Sequence, residues 1–275
     1  MSPPRVGAPE ASGPNARGMN RTFFLVLATA GVPWVQAPGA ETPAVWTVSV
    51  TPAVVTQYMY RGVRDGGCSF QPTVEADCGN LGVGVWANQP LADKVPGVSD
   101  PEIDPYVYYT LNLSDAVSLQ PELYVYTYVR APLDRGAYHA TVEPNLALNY
   151  TWHAVKFTPK LYYDLVLQGP TCELNAAAAV ALPGLGTELD FNATAGSFHL
   201  GNVVNDAIPK VKNWGDYWLL GVSVPVTLSK AAKLNVGFAY TQGSGNYYKQ
   251  GSAPKWVNPA AVGRGVVSLS CAFTF

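Results

Sequence analysis

The sequence predicts an all-β chain folded as a transmembrane antiparallel up-and-down β-barrel, and three observations favour this fold class. Apolar and polar residues alternate along much of the chain, which is the period of a strand with two different faces. The alternating segments are joined by connections that are alternately short and long. Charged residues make up only 13% of the chain while Gly (26) and Pro (23) are abundant, which argues against a helical bundle.

The alternation divides the chain into segments that are each long enough to cross a bilayer. Most span nine to fourteen residues, which suits the ~9–11 residues that a tilted transmembrane strand needs and exceeds the ~5–6 typical of soluble strands. We predict about twelve strands, at residues 46–60, 68–77, 80–88, 103–113, 117–129, 138–150, 153–166, 172–182, 187–197, 216–228, 233–242 and 264–275.

The connections predict an orientation in the membrane. Bacterial outer-membrane barrels have short periplasmic turns and longer extracellular loops, and an even strand count returns both termini to the periplasmic side. The link at 168–171 is short although it falls on the long side. The other short links are at 77–80, 114–116, 151–152, 183–186 and 229–232, and the long ones are at 61–67, 89–102, 130–137, 198–215 and 243–263.

The last segment presents an apolar stripe that runs to the final residue, with Val267, Leu269, Cys271, Phe273 and Phe275 on one face. In water this strand would be an exposed, aggregation-prone edge. In a closed barrel it pairs with the first strand and faces lipid. A soluble secreted sandwich or lipocalin-like barrel would instead bury the stripe, and the long strands count against that alternative.

Aromatic residues lie near the ends of the predicted strands on the apolar face, as in the girdles of membrane barrels. They are Tyr58, Tyr60, Tyr138, Tyr150, Tyr163, Phe238, Tyr240, Phe273 and Phe275.

Prolines conflict with the strand assignment because each removes a ladder hydrogen bond. Six lie inside predicted strands with the parity of the apolar face: Pro52, Pro72, Pro105, Pro121, Pro144 and Pro159.

The opposite face of the strands is polar and carries charges of both signs. As candidate pore-lining residues we select Arg61, Glu75, Asp104, Glu122, Tyr124, Glu143, Lys156, Lys160 and Asp164. Adjacent strands bring Glu122 and Glu143 close to Lys156 and Lys160, so cross-strand ion pairs are expected. Two interpretations stay open, a polar pathway for small solutes and a packed layer that closes the bore, because twelve strands lie between the filled eight-stranded and the conducting sixteen-stranded barrels.

The amino terminus predicts export. A basic segment containing Arg21 precedes an apolar run beginning at Phe23, and small residues follow up to Ala40. This order is typical of a secretory signal peptide, and the apolar run is too short to span a membrane as a helix. We assign 1–40 to an N-terminal extension and cleaved signal peptide and 41–275 to the barrel. An anchored N-terminal helix is the alternative.

Short motifs at the start of the predicted barrel resemble those of the TorF-type outer-membrane porin family. They are Tyr60-Arg61-Gly62 at the end of the first strand, then Gly82, Gly84, Trp86 and Asn88 on a glycine-rich strand, with the closing Phe275. The resemblance implies an outer-membrane barrel of Gram-negative bacteria. At the end of that strand, Arg61 would be either a charged residue of the pore mouth or a structural partner of a carboxylate such as Glu75 or Asp65.

The sequence does not indicate an enzyme or a nucleic-acid-binding protein. His139, His153 and His199 form no recognisable set of nucleophile, base and orienting residue. No cofactor is expected. The 17 Lys and Arg residues are scattered singly rather than grouped in a basic stripe. A disulfide between Cys68 and Cys172, which fall at the same predicted end, is a hypothesis.

These observations together predict an outer-membrane porin for small hydrophilic solutes or ions, in contact with outer-membrane lipid. A closed structural or adhesive barrel that acts through its extracellular loops is the first alternative, and a soluble secreted β protein is the second.

Overall fold

The computed structural model describes residues 45–94, 101–130, 139–166, 168–199, 214–244 and 263–275. The predicted signal peptide at 1–40 and the girdle residue Tyr138 lie outside these ranges. No helix in the described part of the chain is both long enough and apolar enough to cross a membrane.

Twelve antiparallel strands form one closed sheet within the described residues, which confirms the predicted fold class. Pairing follows chain order almost throughout, as expected of an up-and-down barrel. The strands are β1 (Thr47–Thr51, continued by Ala53–Val55), β2 (Ser69–Phe70 and Thr73–Cys78), β3 (Leu81–Pro90), β4 (Glu102–Tyr109 and Leu111–Asn112), β5 (Val117–Thr127), β6 (Ala140–Trp152), β7 (Val155–Asp164), β8 (Gly169–Leu182), β9 (Thr187–His199), β10 (Trp214–Ser229), β11 (Ala232–Gly243) and β12 (Arg264–Thr274).

The barrel closes where the last strand meets the first, as the apolar terminal stripe predicted. In the pairing of β12 with β1, Phe273 is opposite Val50 and Thr274 is opposite Ser49. The main chains of Val48 and Phe275 exchange two hydrogen bonds, of 3.2 and 2.9 Å. Closure leaves neither strand with a free edge.

The two ends of the barrel differ as the connection lengths predicted. At one end, the turn end, tight connections at 79–80, 113–116, 153–154, 183–186 and 230–231 join consecutive strands. At the other end, the loop end, the connections are mostly longer, and the short link near 168 keeps its exceptional length. The turn predicted at 151–152 lies two residues later because β6 continues to Trp152.

The barrel is apolar outside and polar inside. Large apolar side chains point away from the lumen and stay exposed, among them Leu161 (55%), Leu269 (51%) and Phe238 (50%). Inward polar side chains are buried, with Glu143 and Asp164 both 0% exposed. This order is the reverse of a water-soluble fold, and the outward and inward positions of these five side chains agree with the faces that the alternation predicted.

The first strand is shorter than predicted, and the chain after it turns into the lumen. β1 ends at Val55 rather than at residue 60, and the strands Tyr58–Tyr60 and Val63–Gly66 pair with each other as a separate hairpin, the inner hairpin. Its two-residue turn places Arg61 at φ 41° and Gly62 at φ 74°, the positive values of a type I′ turn. Tyr58 and Tyr60 are 2% and 0% exposed, so the prediction that they belong to a membrane girdle is wrong.

Prolines are accommodated in two ways. Pro52 and Pro72 fall between the two segments of β1 and of β2, where the strand is interrupted. Their carbonyl oxygens still accept hydrogen bonds from the amides of Cys271 (3.1 Å) and Ala87 (3.0 Å). The remaining four of the six prolines stay inside β4, β5, β6 and β7.

The four cysteines are free thiols, so the hypothesis of a Cys68–Cys172 disulfide is wrong. Cys172 is exposed on the outer face of β8, whereas Cys68 immediately precedes β2. Five strands lie between β2 and β8 around the barrel, so the two thiols are far beyond the reach of a disulfide.

Candidate functional site

The inner hairpin occupies the loop-end half of the lumen and is held there by main-chain contact at its tip. The amide of Gly243 on β11 donates a 2.9 Å hydrogen bond to the carbonyl of Gly62. A Cβ atom on Gly62 would collide with the Gly243 main chain, so this close approach requires glycine. The tip therefore rests on β11, two strands from β1, from which the hairpin departs.

Arg61 anchors the same tip to β6. Its Nη2 atom donates to both carboxylate oxygens of Glu143, at 3.2 and 3.3 Å, and its guanidinium carbon lies 5.1 Å from the ring centres of Tyr60 and Tyr162. Tyr126 donates a third hydrogen bond to Glu143, at 2.8 Å. Both charged side chains are at most 1% exposed.

Arg61 is a structural partner of a carboxylate, as one of the two sequence-based interpretations held, but the carboxylate differs from the two suggested. Arg61 is inside the barrel rather than at a solvent-exposed mouth, because the chain folds inward after Val55. Its carboxylate partner is Glu143, 82 residues away, and not Glu75 or Asp65.

A three-strand arrangement repeats on the lumen wall, in which a tyrosine ring crosses a glycine to reach a carboxylate two strands away. Tyr106 of β4 passes over Gly84 of β3 and donates to Glu75 of β2, at 2.6 Å. Tyr108, Gly82 and Asp77 repeat this geometry at 2.6 Å, and Tyr217, Gly196 and Glu173 repeat it at 2.5 Å. A Cβ atom at any of the three glycines would collide with the tyrosine ring.

Four tyrosine rings form a continuous series along the wall made by β4 and β5. The ring centres of Tyr108 and Tyr106 are 6.4 Å apart, those of Tyr106 and Tyr124 4.9 Å, and those of Tyr124 and Tyr126 6.0 Å. Neighbouring ring planes differ by at most 22°. The series extends from near the turn end to the level of the Arg61–Glu143 pair, so this wall is rigid and amphipathic.

Between the hairpin tip and the turn end lies a cavity of about 400 Å³, here called the chamber. Six of the nine candidate residues line it: Arg61, Glu75, Glu122, Tyr124, Lys156 and Lys160. The Nζ atom of Lys160 lies 3.6 Å from a carboxylate oxygen of Glu122, one of the expected cross-strand ion pairs. The rest of the lining is mostly hydroxyl, amide and tyrosine side chains, including Ser49, Gln120, Asn149, Thr158, Asn175, Asn192 and Thr194.

Asp104, Glu143 and Asp164 lie on the loop-end side of the chamber and are at most 1% exposed. Asp104 accepts a hydrogen bond from the amide of Thr127, at 3.0 Å. Asp164 accepts 2.8 Å bonds from the hydroxyl of Thr141 and the amide of Val166. These three carboxylates hold strands and the hairpin together instead of bordering the open volume.

One charged chamber residue, Glu173, was absent from the sequence-based selection. Glu173 accepts hydrogen bonds from Tyr162, Tyr217 and Asn175, at 3.3, 2.5 and 2.7 Å. The alternation of Thr171, Glu173 and Asn175 in β8 indicates that Glu173 faces the lumen. The alanine run that follows in the same strand obscured this alternation.

No protein-family profile and no curated protein matches this chain. Among solved structures, the NanC porin matches at 10% identity over 82% of this chain and 98% of its own, with a TM-score of 0.50. The KdgM porin matches at 10% identity over 82% of this chain and 99% of its own, also with a TM-score of 0.50. At this identity the likeness shows the shared barrel fold.

Proposed function

We propose that this chain is a bacterial outer-membrane porin through which small hydrophilic solutes or ions diffuse. The observation that carries the proposal is the chamber, a polar cavity of about 400 Å³ enclosed by a barrel whose outer surface is apolar. A polar lumen inside a lipid-facing wall is the arrangement by which membrane barrels conduct. The structurally similar NanC and KdgM proteins are porins by name, which agrees with this assignment.

Three finer parts of the proposal rest on sequence. The segment 1–40 serves as the signal peptide for export, the short turns face the periplasm, and the chain belongs with the TorF-type porins. The exposed belt of leucine, valine and aromatic residues contacts outer-membrane lipid. Mass spectrometry of the mature protein tests the first part, with an amino terminus near residue 41 expected.

A closed structural barrel is the second candidate function, and the inner hairpin is the observation in its favour. The hairpin, the Arg61–Glu143 pair and the buried tyrosines fill the loop-end half of the lumen. If the barrel is closed, the protein would act through its extracellular loops and not through its lumen. Conduction through the purified protein separates the two candidates directly.

No catalytic role is proposed. The Nδ1 atom of His139 lies 3.2 Å from the Tyr128 carbonyl near the loop end, whereas the ring of His153 packs at a tilt against Trp152 at the opposite end. Among the described residues, no group of three or more His, Cys, Asp or Glu side chains is placed to hold a metal ion. Passive diffusion requires neither a metal nor an organic cofactor.

Proteoliposome swelling tests the proposal. Vesicles that contain the refolded mature chain are transferred into isosmotic solutions of neutral sugars of increasing size. We expect rapid swelling with the smallest sugars and none with large oligosaccharides. Vesicles that hold inserted protein but swell no faster than protein-free vesicles in every sugar would overturn the porin assignment in favour of the closed barrel.

A further inference from the structure

Most charged groups around the chamber lie beside a group of opposite charge. Lys160 is paired with Glu122, and Arg61 with Glu143. Glu173 accepts three hydrogen bonds from neutral side chains and lies directly opposite Lys160 in the register of β8 with β7. The two ion pairs contribute little net field across the open volume, and the charge of Glu173 is close to that of Lys160.

Three charged groups are not compensated in this way. Lys156 of β7 points into the chamber, and no carboxylate among the described residues lies within ion-pairing distance of it. Glu75 and Asp77 of β2 form no ion pair within the described chain either, and each accepts a hydrogen bond only from a neutral tyrosine hydroxyl. The chamber thus retains one positive site at Lys156 and one negative site at Glu75, and Asp77 adds a second negative charge two residues further along the same face of β2.

The two sites lie on opposing walls. Going round the barrel, β7 is five strands from β2 in one direction and seven in the other, which is close to diametrically opposite in a twelve-stranded sheet. Glu75 and Lys156 both border the chamber. Opposite charges on facing walls, with low-dielectric protein around them, produce a field directed across the diffusion path.

We propose that the chamber favours small zwitterionic solutes, in the manner of a free amino acid, over neutral solutes of the same size. The solute's ammonium group faces Glu75 and Asp77 while its carboxylate faces Lys156, so both of its charges meet a complementary wall. A volume of about 400 Å³ admits a molecule of this class together with water. This inference deepens the proposed function and rests on it.

Swelling rates with two isomeric solutes test the inference. Alanine is a zwitterion, and lactamide has the same atoms without formal charges. The quantity compared is the rate of alanine entry divided by the rate of lactamide entry. We expect this ratio to be higher for the wild-type chain than for Lys156→Gln or for the double variant Glu75→Gln/Asp77→Asn. The expected fall in the alanine-to-lactamide ratio is about tenfold, at the lower end of the effects produced by charge-lined clefts.

The matched controls remove the same charges outside the lumen. Lys230 and Asp115 are exposed in turns, so Lys230→Gln and Asp115→Asn should leave the ratio unchanged. Circular dichroism spectra and unfolding temperatures verify that each variant is folded before its ratio is interpreted. A second set of measurements with Lys156→Arg should restore the wild-type ratio, because the charge is kept.

The outcomes separate this inference from the porin assignment. If both isomers enter but neither lumen variant alters the ratio of their rates, the zwitterion preference is wrong while the porin assignment stands. The same conclusion follows if the turn variants alter the ratio as much as the lumen variants do. If neither isomer enters vesicles that contain inserted wild-type protein, both are wrong.

Discussion

The guanidinium of Arg61 and the carboxylate of Glu143 meet inside the barrel, with Nη2 at 3.2 and 3.3 Å from the two oxygens. Arg61 comes from a hairpin tip and Glu143 from the loop-end part of β6, so the pair fastens an otherwise independent segment to the wall. Both side chains are buried, and removing one partner would leave an uncompensated charge. This pair and the Gly62–Gly243 hydrogen bond therefore hold the hairpin in the loop-end half of the lumen.

Substitution of one partner should cost more stability than substitution of both. We expect Glu143→Gln to lower the free energy of unfolding by about 3–5 kcal/mol, because it leaves the Arg61 charge buried without its partner. The double variant Arg61→Gln/Glu143→Gln should be less destabilised than Glu143→Gln alone. Urea unfolding of the refolded proteins measures both values. Strictly additive effects in this double-mutant cycle would show that the pair does not couple the hairpin to β6.

Glycine at position 62 should be needed to keep the hairpin inside. Gly62→Ala places a Cβ atom against the Gly243 main chain at a residue with φ 74°, so we expect the tip to leave the wall and the single-channel current to increase. Gly184→Ala is the control, since a Cβ atom at Gly184 meets no atom within 4 Å. Equal currents for wild type and Gly62→Ala would argue against the hairpin as an obstruction.

The tyrosine wall should respond to substitution of the glycine beneath it. Gly84→Ala forces the Tyr106 ring from its place beside Glu75 into the chamber, with an expected cost of about 1–3 kcal/mol and a reduced current. Removing the ring in Gly84→Ala/Tyr106→Ala should restore the current. Planar-bilayer recordings of the two variants check this. A current that stays low in the double variant would mean that Tyr106 is not the blocking group.

Charge on the outer surface should be penalised according to depth in the membrane. Leu161→Arg introduces a cation in the middle part of β7 on the exposed apolar face, and we expect a loss of about 2–4 kcal/mol. Leu165→Arg, just beyond the end of the same strand at the loop end, should cost about 0–1 kcal/mol. Unfolding from lipid vesicles measures the difference. Similar losses at both positions would contradict a bilayer around this surface.

Alternation alone was sufficient to predict the barrel strands because lipid and lumen impose opposite polarity on successive residues. In β5, β6 and β7 the predicted faces agree with the exposed Leu161 and the buried Glu143 and Asp164. Of the expected cross-strand ion pairs, Glu122 and Lys160 meet, whereas Glu143 pairs with Arg61 and Lys156 has no carboxylate partner among the described residues.

The inner hairpin could not be predicted because its parity continues that of the first strand. Tyr58 and Tyr60 keep the apolar spacing of β1, and aromatic residues suit a membrane interface as well as a crowded lumen. The contact of Arg61 with a carboxylate 82 residues away places these tyrosines in the lumen and not at the membrane interface, and no local pattern encodes that contact. Gly62 does indicate a turn at this point, but a turn suits the end of a transmembrane strand as well as a hairpin that folds inward.

Single-channel recording of the refolded mature chain in planar bilayers tests the central claim most directly. The account predicts discrete, reproducible current steps from the wild-type protein, since the chamber is polar and enclosed by a lipid-facing barrel. Protein that inserts stably yet carries no current under the same conditions would contradict the account and identify the barrel as closed.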